Sequence, residues 1–232
     1  MSHFCVAVFT DGNKTVEELL APYQENNMGD CPKEYMKFYP VDTEEQKKDY
    51  EKYKEDNQTF EEYLEADGYL FDEEEKAYGY YENPNAKWDW WQVGGRFRDL
   101  LITRDGFCDI SKIKDVDFSE DKERYDESIR WWEVVVEGSP LREGEKEDDF
   151  FNFYKIEYLK EKYKTKENYA KCQSVFATFA VITPDGKWYE KGNMGWWACV
   201  SNEDYNWDLN FKERFIDTAN PDWTITIVDC HI

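Results

Sequence analysis

The chain has 232 residues, of which 18% are aromatic and 35% are charged, and its formal net charge is −23. This charge excludes direct binding to nucleic acid and to acidic membranes unless a local basic patch overrides it, and no such patch occurs in the sequence. No run of 18 apolar residues occurs either, so we predict no membrane-spanning segment. The length fits one large domain or two small ones, and we predict a single domain over residues 1–232.

The acidic surplus of 52 acidic over 29 basic residues has two interpretations. The first is that it keeps the surface soluble, because a net charge away from zero opposes association. The second is that the charge steers a basic partner, such as a nucleic-acid-binding protein, onto the chain. The sequence leaves both interpretations open.

The six cysteines indicate reduced thiols rather than a disulfide framework. They are scattered along the chain and form no C-x-x-C pair, so their spacing does not favour a zinc site. The chain opens directly on a strand-like segment, from which we predict that no signal peptide precedes it. Together these features predict a protein of the cytoplasm.

The first third of the chain is predicted to contain one buried strand followed by polar helices. Residues 3–10 (HFCVAVFT) form an apolar run of strand length, and residues 15–18 have the pattern of a capping box. Asp42 and Thr59 are placed to begin two helices with few apolar residues. We interpret residues 42–76 as an acidic helical insertion on the surface.

The middle of the chain is predicted to be mainly helical. Residues 100–103 are a candidate strand, and a helix is expected from Ser119 to about Trp132, with 133–137 as its last turn or a short strand. A further helix is predicted over 145–164, because aromatic residues recur there every three or four positions. We assign this stripe to the core; its rings are Phe150, Phe153, Tyr154 and Tyr158.

The last third has the clearest strand and turn signals. Residues 175–183 are predicted to be a strand, Pro184-Asp185-Gly186 a tight turn, and residues 187–190 the returning strand. Ser201–Asp204 are expected to cap a helix, and residues 223–232 (WTITIVDCHI) to form the final strand. The predicted buried face of that helix contains Trp207, Phe211, Phe215 and Thr218.

These elements predict an α+β fold. We expect a mainly antiparallel sheet with helices packed on one face and the acidic helical insertion outside it. The first and last strands are both apolar along their length, which is typical of central strands that are buried on both faces.

The segment Asn83–Phe97 (NPNAKWDWWQVGGRF) has the composition of a binding site. If residues 88–91 are extended, Trp88 and Trp90 point to the same side, and the glycines that follow let the backbone approach a ligand. Aromatic faces and an arginine suit a nucleotide-like or planar anionic ligand. The alternative is an internal Arg–Asp pair beneath a tryptophan-rich core.

Residues 191–197 (KGNMGWW) have a similar character and could form the opposite wall of one pocket. The ligand-binding candidates from both segments are Lys87, Trp88, Asp89, Trp90, Gly94, Gly95, Arg96 and Trp196.

The only two histidines lie in the first and last predicted strands. Because side chains alternate along a strand, Asp229 and His231 share one face of the last strand. We predict that the two strands pair antiparallel, which brings His3 near Asp229 and His231. The trio could act as acid, base and orienting group, or could bind Zn, Mn or Fe. Alternatively, these are polar residues at strand ends that meet water or nearby backbone.

No Walker loop, G-x-G-x-x-G, G-x-S-x-G or H-E-x-x-H motif occurs, so the sequence requires no particular cofactor.

The chain resembles a family of phage and bacterial proteins. The resemblance rests on the opening MSHF, on the N-P-N-x-K-W-D-W…G-G-R string at residues 83–97, and on the ending VDCHI at residues 228–232. Phe97 stands where the family often has Trp, which retains an aromatic ring. PDGKW at residues 184–188 and MGW at 194–196 match as well. The resemblance covers most of the chain except the acidic insertion.

The resemblance implies a phage or prophage setting and indicates no particular chemistry. It makes a host-takeover or anti-defence role plausible for an acidic protein in the host cytoplasm. Our first functional hypothesis is therefore a phage-encoded inhibitor that docks on a basic host or defence protein. The alternative is an enzyme or sequestering protein for a small nucleotide-like ligand.

Overall fold

The two ends of the chain form the centre of the main sheet. The computed structural model describes residues 2–195 and 199–232. Strand β1 (His3–Thr10) pairs antiparallel with β13 (Thr224–His231) along their whole length, with His3 opposite His231 and Thr10 opposite Thr224. Six consecutive residues in each strand are buried, as expected for strands that are apolar on both faces. The predicted pairing of the terminal strands is confirmed.

The chain divides into two compact units, of which the first comprises residues 1–19 and 91–232 and the second residues 20–90. The α+β class is confirmed, with mostly antiparallel strand pairs. The predicted acidic segment 42–76 lies inside the second unit. The single-domain organisation stays a prediction.

The main sheet has the order β10-β9-β1-β13-β5, and β8 also pairs with β13. Strand β9 runs parallel to β1, and β10 returns antiparallel to β9 after the predicted turn, where Gly186 N–H donates to Thr183 O at 2.8 Å. The remaining strands named here are β5 (Trp90–Val93), β8 (Ile110–Lys112), β9 (Ala180–Ile182) and β10 (Trp188–Glu190).

Two pairs of short strands lie outside this sheet in the first unit. They are β6 (Leu101–Thr103) with β7 (Gly106–Cys108), and β11 (Asn193–Met194) with β12 (Val200–Ser201). The helices of this unit are α1 (Val16–Leu20), α4 (Lys122–Val135), α5 (Ile156–Tyr163), α6 (Lys166–Ser174) and α7 (Trp207–Phe211).

One face of the β1–β13 pair packs against α7. Cys5, Ala7 and Phe9 of β1 share a buried cluster with Trp207 and with Phe211. The Trp207 indole N–H donates to Thr178 O at 2.7 Å, which satisfies the polar atom of this buried ring. The predicted stripe of Trp207, Phe211 and Phe215 is therefore core, whereas Thr218, which was assigned to the same face, is exposed. The predicted cap of this helix is also wrong.

Ser201–Asp204 do not cap α7, because Val200–Ser201 instead form β12 against Asn193–Met194. The helix starts after Asn206 and continues as a π-helical turn over Lys212–Ile216.

The predicted helix over 145–164 and its assignment to the core are wrong in their first half. Phe151 has an extended backbone, and α5 begins only at Ile156. Asn152 competes with a helix by bonding locally, since Tyr154 N–H donates to its Oδ1 at 2.9 Å. The Phe153 ring is 87% exposed and contacts Phe151 instead of the core.

The predicted strand over 175–183 is also too long. Only Ala180–Ile182 pair with β1, against Val6–Val8. The Thr178 hydroxyl donates to Ala180 O at 2.7 Å, a local bond that accompanies the non-strand conformation before β9.

Helix α4 packs on α5 and α6 around a second cluster that includes Trp132, Val136 and Leu159. Asp121 caps α4 by accepting from Arg124 N–H at 3.0 Å, and residues 133–135 are its last turn, as one alternative predicted.

Glu145 fixes the loop that follows α4 through Arg130. Arg130 donates to both carboxylate oxygens at 2.8 and 2.7 Å, and Arg142 N–H donates to one of them at 2.7 Å. The bonds from the Arg130 side chain have the largest effect and the bond from Arg142 N–H the next largest. Together they lower the pKa of Glu145 from 4.5 to about 2.

Glu145→Gln is therefore expected to reduce stability above pH 4.5. A carboxyl whose folded pKa is lowered contributes stability above its unfolded pKa and loses it as the pH falls through the folded value. The difference between wild type and variant should shrink between pH 4.5 and about 2. Urea unfolding across this window measures it, with Glu143→Gln as the matched control. A difference that is constant with pH would contradict the assignment.

The second unit contains a three-stranded antiparallel sheet of order β2-β4-β3 and two helices. Both predicted caps are confirmed: Asp42 accepts from the N–H groups of Glu44 and Glu45, and Thr59 forms a capping box with Glu62. The elements are β2 (Lys37–Pro40), α2 (Thr43–Tyr53), α3 (Phe60–Ala66), β3 (Leu70–Asp72) and β4 (Ala77–Glu82).

Asn83 joins two loops of the second unit. Its side chain is buried, and Nδ2 donates to Pro22 O and to Gln24 O, both at 2.9 Å. Its Oδ1 accepts from Asn85 N–H at 2.9 Å, which is the local turn expected of Asn-Pro-Asn.

Asn83→Ala is expected to lower the free energy of unfolding by about 2 kcal/mol, because the half-buried carbonyls of Pro22 and Gln24 both lose the bond from this buried side chain. Asn85→Ala, at an exposed side chain of the same turn, is the matched control and should change little. Urea unfolding of both variants tests this, and equal stabilities would show that the Asn83 bonds are not needed.

Every helix among residues 2–195 and 199–232 is too short or too polar to cross a membrane.

Candidate functional site

The Asp229 carboxylate is the centre of the candidate site. The residue is fully buried, and its Oδ1 lies 2.8 Å from His3 Nδ1. Its Oδ2 accepts from the backbone N–H of Arg96 at 2.9 Å. Since a carboxylate only accepts, the His3 ring donates through Nδ1, and Nε2 is its second ring nitrogen.

Strand geometry explains why these residues meet. In the antiparallel register His3 lies opposite His231, and Cys5 lies opposite Asp229. Asp229 is thus the diagonal neighbour of His3 on the same face. The two imidazole centroids are 5.0 Å apart in an edge-to-face arrangement, and the His3 side chain is 16% exposed. The structure therefore brings all three predicted residues together.

The two glycines of the segment Asn83–Phe97 bring backbone close to two carboxylates, Asp109 at Gly94 and Asp229 at Gly95. Gly94 and Gly95 have φ of +69° and +56°, and a tight turn follows over Gly95–Phe97. A Cβ at Gly95 would lie 2.6 Å from Asp229 Cβ, too close for any side chain. The close backbone approach expected at these glycines is present, and the groups approached are the side chains of Asp229 and Asp109.

The Arg96 side chain is exposed and forms no ion pair with any carboxylate of residues 2–195 and 199–232. The structure therefore does not contain the alternative of an internal Arg–Asp pair involving Arg96. Its guanidinium remains available to an anion.

The tryptophan half of the string is arranged differently from the prediction. Trp88 is buried and its indole N–H donates to Leu20 O at 3.1 Å, so it packs inside the second unit. Trp90 starts β5 and is 46% exposed. The expectation that both rings share one side of a strand is wrong, because Trp88 precedes the strand. Lys87 and Asp89 are half-buried in the same unit.

The segment at 191–195 reaches the strand ends from another direction. The Ser2 hydroxyl donates to Gly195 O at 3.3 Å, and Ser2 itself pairs with Ile232 through two backbone bonds. Gly195 thus lies beside the start of β1. Trp196, the predicted ligand residue that follows it, lies outside the described residues.

Asp109 and Arg98 belong to the same region but were not found from the sequence. Asp109 Oδ1 accepts from Asp99 N–H at 2.6 Å, and its carbonyl accepts from Ile227 N–H at 2.8 Å. Arg98 is exposed, two residues after Arg96. The one signal in the sequence is that Arg98 repeats the positive charge of Arg96 two positions later.

Cys5 and Cys230, the two buried cysteines of the paired terminal strands, are unsuited to act as nucleophiles. All six are free thiols, in agreement with the predicted reduced state. Burial raises the pKa values of both Cys5 and Cys230, and the Asp229 carboxylate raises them further. Both thiols therefore stay protonated at neutral pH.

Among the described residues, no group of three or more His, Cys, Asp or Glu side chains is arranged to hold a metal ion. The predicted metal trio of His3, Asp229 and His231 is instead connected by direct contacts: the imidazole of His3 bonds the carboxylate and meets the other ring.

No protein-family model, curated protein or solved structure matches the chain. The site therefore has to be interpreted from its own chemistry. A histidine oriented by a buried carboxylate has the geometry that general acid–base chemistry requires, and glycine backbone with an exposed arginine suits an anion.

Proposed function

We propose that the chain binds a small nucleotide-like anion beside the paired strand ends and that His3 acts on it as general acid or base. The observation that carries the proposal is the Asp229 carboxylate, which bonds His3 through one oxygen and the Arg96 backbone through the other. One buried group thereby orients an acid–base side chain and fixes the segment that presents a guanidinium.

The assigned roles follow from the geometry. Asp229 is a positioning residue that selects the Nδ1–H form of His3, as carboxylates do for catalytic histidines. Arg96 offers the planar donor fork that phosphate and carboxylate groups accept. His231, in ring contact with His3, is the second imidazole that a bound anion would meet.

The test is a nucleotide panel followed by calorimetry and tryptophan fluorescence. We expect saturable binding by wild type, loss of binding in Arg96→Ala, and unchanged binding in Arg104→Ala, an exposed arginine in the turn between β6 and β7. Product formation that requires His3 would identify an enzyme, and binding without turnover a sequestering protein. The absence of binding to any nucleotide, or full binding by Arg96→Ala, would overturn the proposal.

A second candidate function rests on the second unit. Residues 20–90 contain 20 acidic and 8 basic residues. They also expose large rings, among them Phe71, Tyr80 and Trp90, which are 47%, 43% and 46% exposed. Acidic groups around exposed rings suit a basic protein surface. We propose as this alternative a phage-encoded inhibitor that docks on a basic host or defence protein, the phage setting being implied by the sequence resemblance.

A pull-down from host lysate at low and high ionic strength tests the alternative, because contacts between exposed charges weaken with salt. Charge reversal of Glu73, Glu74 and Glu75 should abolish capture of a basic partner, whereas Arg96→Ala should not affect it. Capture that is insensitive to salt and to this reversal would contradict docking through the acidic unit.

A further inference from the structure

The segment Gly94–Asp99 is held by carboxylates at two points. Arg96 N–H donates to Asp229 Oδ2 at 2.9 Å, and Asp99 N–H donates to Asp109 Oδ1 at 2.6 Å. The start of the segment is fixed by Gly94 N–H, which donates to Ile227 O at 2.9 Å. Its backbone is therefore tied to β13 and to the residue before β8.

The same segment has a strained end. Asp99 has φ of +62°, a conformation that L-residues adopt at a cost and that is kept only where neighbouring bonds enforce it. The bond from Asp99 N–H to Asp109 is such a constraint. It sets the chain direction immediately after Arg98.

Two guanidiniums are presented between these fixed points. Arg96 and Arg98 are both exposed, and neither forms an ion pair with a carboxylate in the described part of the chain. Among the other arginines, Arg130, Arg142 and Arg214 each pair with an acidic residue, whereas Arg104 and Arg124 form no ion pair in the described part of the chain. Arg96 and Arg98 differ from Arg104 and Arg124 because they lie two positions apart within one segment whose backbone is fixed.

The two carboxylates that hold the segment form no ion pair with its arginines and bond other groups instead. Asp229 uses its oxygens for His3 and for the Arg96 backbone, and Asp109 uses Oδ1 for the Asp99 backbone. The acidic side chains thus shape the segment and leave the guanidinium donors unused.

We infer that Gly94–Asp99 is a phosphate-binding loop, in which Arg96 and Arg98 hold a phosphate group of the ligand and Asp109 is a positioning residue. The inference rests on the proposed nucleotide-like ligand and assigns which part of it the loop recognises. Two planar forks match the double charge and three terminal oxygens of a phosphate better than they match a single carboxylate.

Calorimetry with ADP, inorganic pyrophosphate and adenosine tests the loop. ADP and pyrophosphate should bind, and adenosine should bind at least about tenfold more weakly, since it lacks the charge-assisted bonds. Arg98→Gln should weaken ADP binding by about tenfold, while Arg104→Gln should leave the affinity for ADP unchanged. Higher salt should weaken the binding of ADP more than the binding of adenosine.

Asp109→Asn supplies the positioning test. Asp109→Asn should weaken ADP binding and also speed hydrogen exchange of the Asp99 amide. Arg98→Gln should weaken ADP binding without changing that exchange rate. Binding of a panel nucleotide that is lost in Arg96→Ala but unchanged in Arg98→Gln and in Asp109→Asn would overturn the phosphate-binding loop and leave the proposed function standing. Equal affinity for adenosine and ADP, or no binding by pyrophosphate and by every nucleotide of the panel, would overturn both, because the proposed ligand is an anion.

Discussion

Replacing Asp229 with alanine is expected to lower the free energy of unfolding by about 3 kcal/mol. The carboxylate is fully buried and accepts from His3 and from Arg96 N–H, so its removal leaves two donors without an acceptor. Each such donor costs about 1–3 kcal/mol when water cannot replace the partner. Urea unfolding followed by far-UV circular dichroism measures the change.

Two further variants make the Asp229 experiment specific. Asp229→Asn keeps one acceptor oxygen and should fall between wild type and alanine. Asp222→Ala removes an exposed carboxylate that pairs with Lys114 on the surface and should leave stability unchanged. An Asp229→Ala protein as stable as wild type would show that the bonds of this carboxylate to His3 and to Arg96 N–H do not stabilise the fold.

Gly95→Ala is expected to cost about 3 kcal/mol, of which about 1 kcal/mol comes from the positive φ. The remainder arises because the new methyl group would lie 2.6 Å from both Asp229 Cβ and Gln92 Nε2, so the segment must move away from Asp229. The same variant should lose nucleotide binding if the proposed site is correct.

Gly138→Ala is the matched control for Gly95→Ala. Gly138 has φ of +72°, and a Cβ there would meet nothing within 4 Å. It therefore reports the backbone cost alone, about 1 kcal/mol. Equal decreases in the free energy of unfolding in the two variants would show that the close approach of Gly95 to Asp229 adds nothing to the cost of Gly95→Ala.

The terminal strands could be predicted from the sequence because their signal is local and unambiguous. Each is a short apolar run that ends near one of the two histidines, and period-two alternation places Asp229 and His231 on one face. The caps at Asp42 and Thr59 could be predicted for the same reason, since a cap depends on a few neighbouring residues.

Segments whose conformation depends on partners distant in sequence could not be predicted. The aromatic spacing over 145–164 fits a helix, yet Asn152 bonds its own neighbour and Phe153 remains exposed. The apolar run over 175–183 becomes a strand only at Ala180–Ile182, where β1 offers hydrogen-bonding partners. Apolar composition alone does not specify where such pairing starts.

The candidate site was predictable in its side chains and not in its backbone. His3, Asp229 and His231 follow from strand periodicity, and the glycines from the close backbone approach that a residue without a side chain permits. The bonds from Asp229 to Arg96 N–H and from Asp109 to Asp99 N–H join residues 133 and 10 positions apart. Contacts of a carboxylate with a distant backbone N–H leave no spacing pattern, so Asp109 had no sequence signal.

Long-range proton–nitrogen spectra of the imidazoles test the central claim most directly, because the chain has only two histidines. We predict that neutral His3 carries its proton on Nδ1, which faces Asp229 Oδ1 at 2.8 Å. In Asp229→Asn this preference should be lost while His231 remains assignable as an internal reference. A neutral His3 protonated on Nε2 in the wild-type protein, or spectra unchanged by Asp229→Asn, would contradict a histidine oriented by the buried carboxylate.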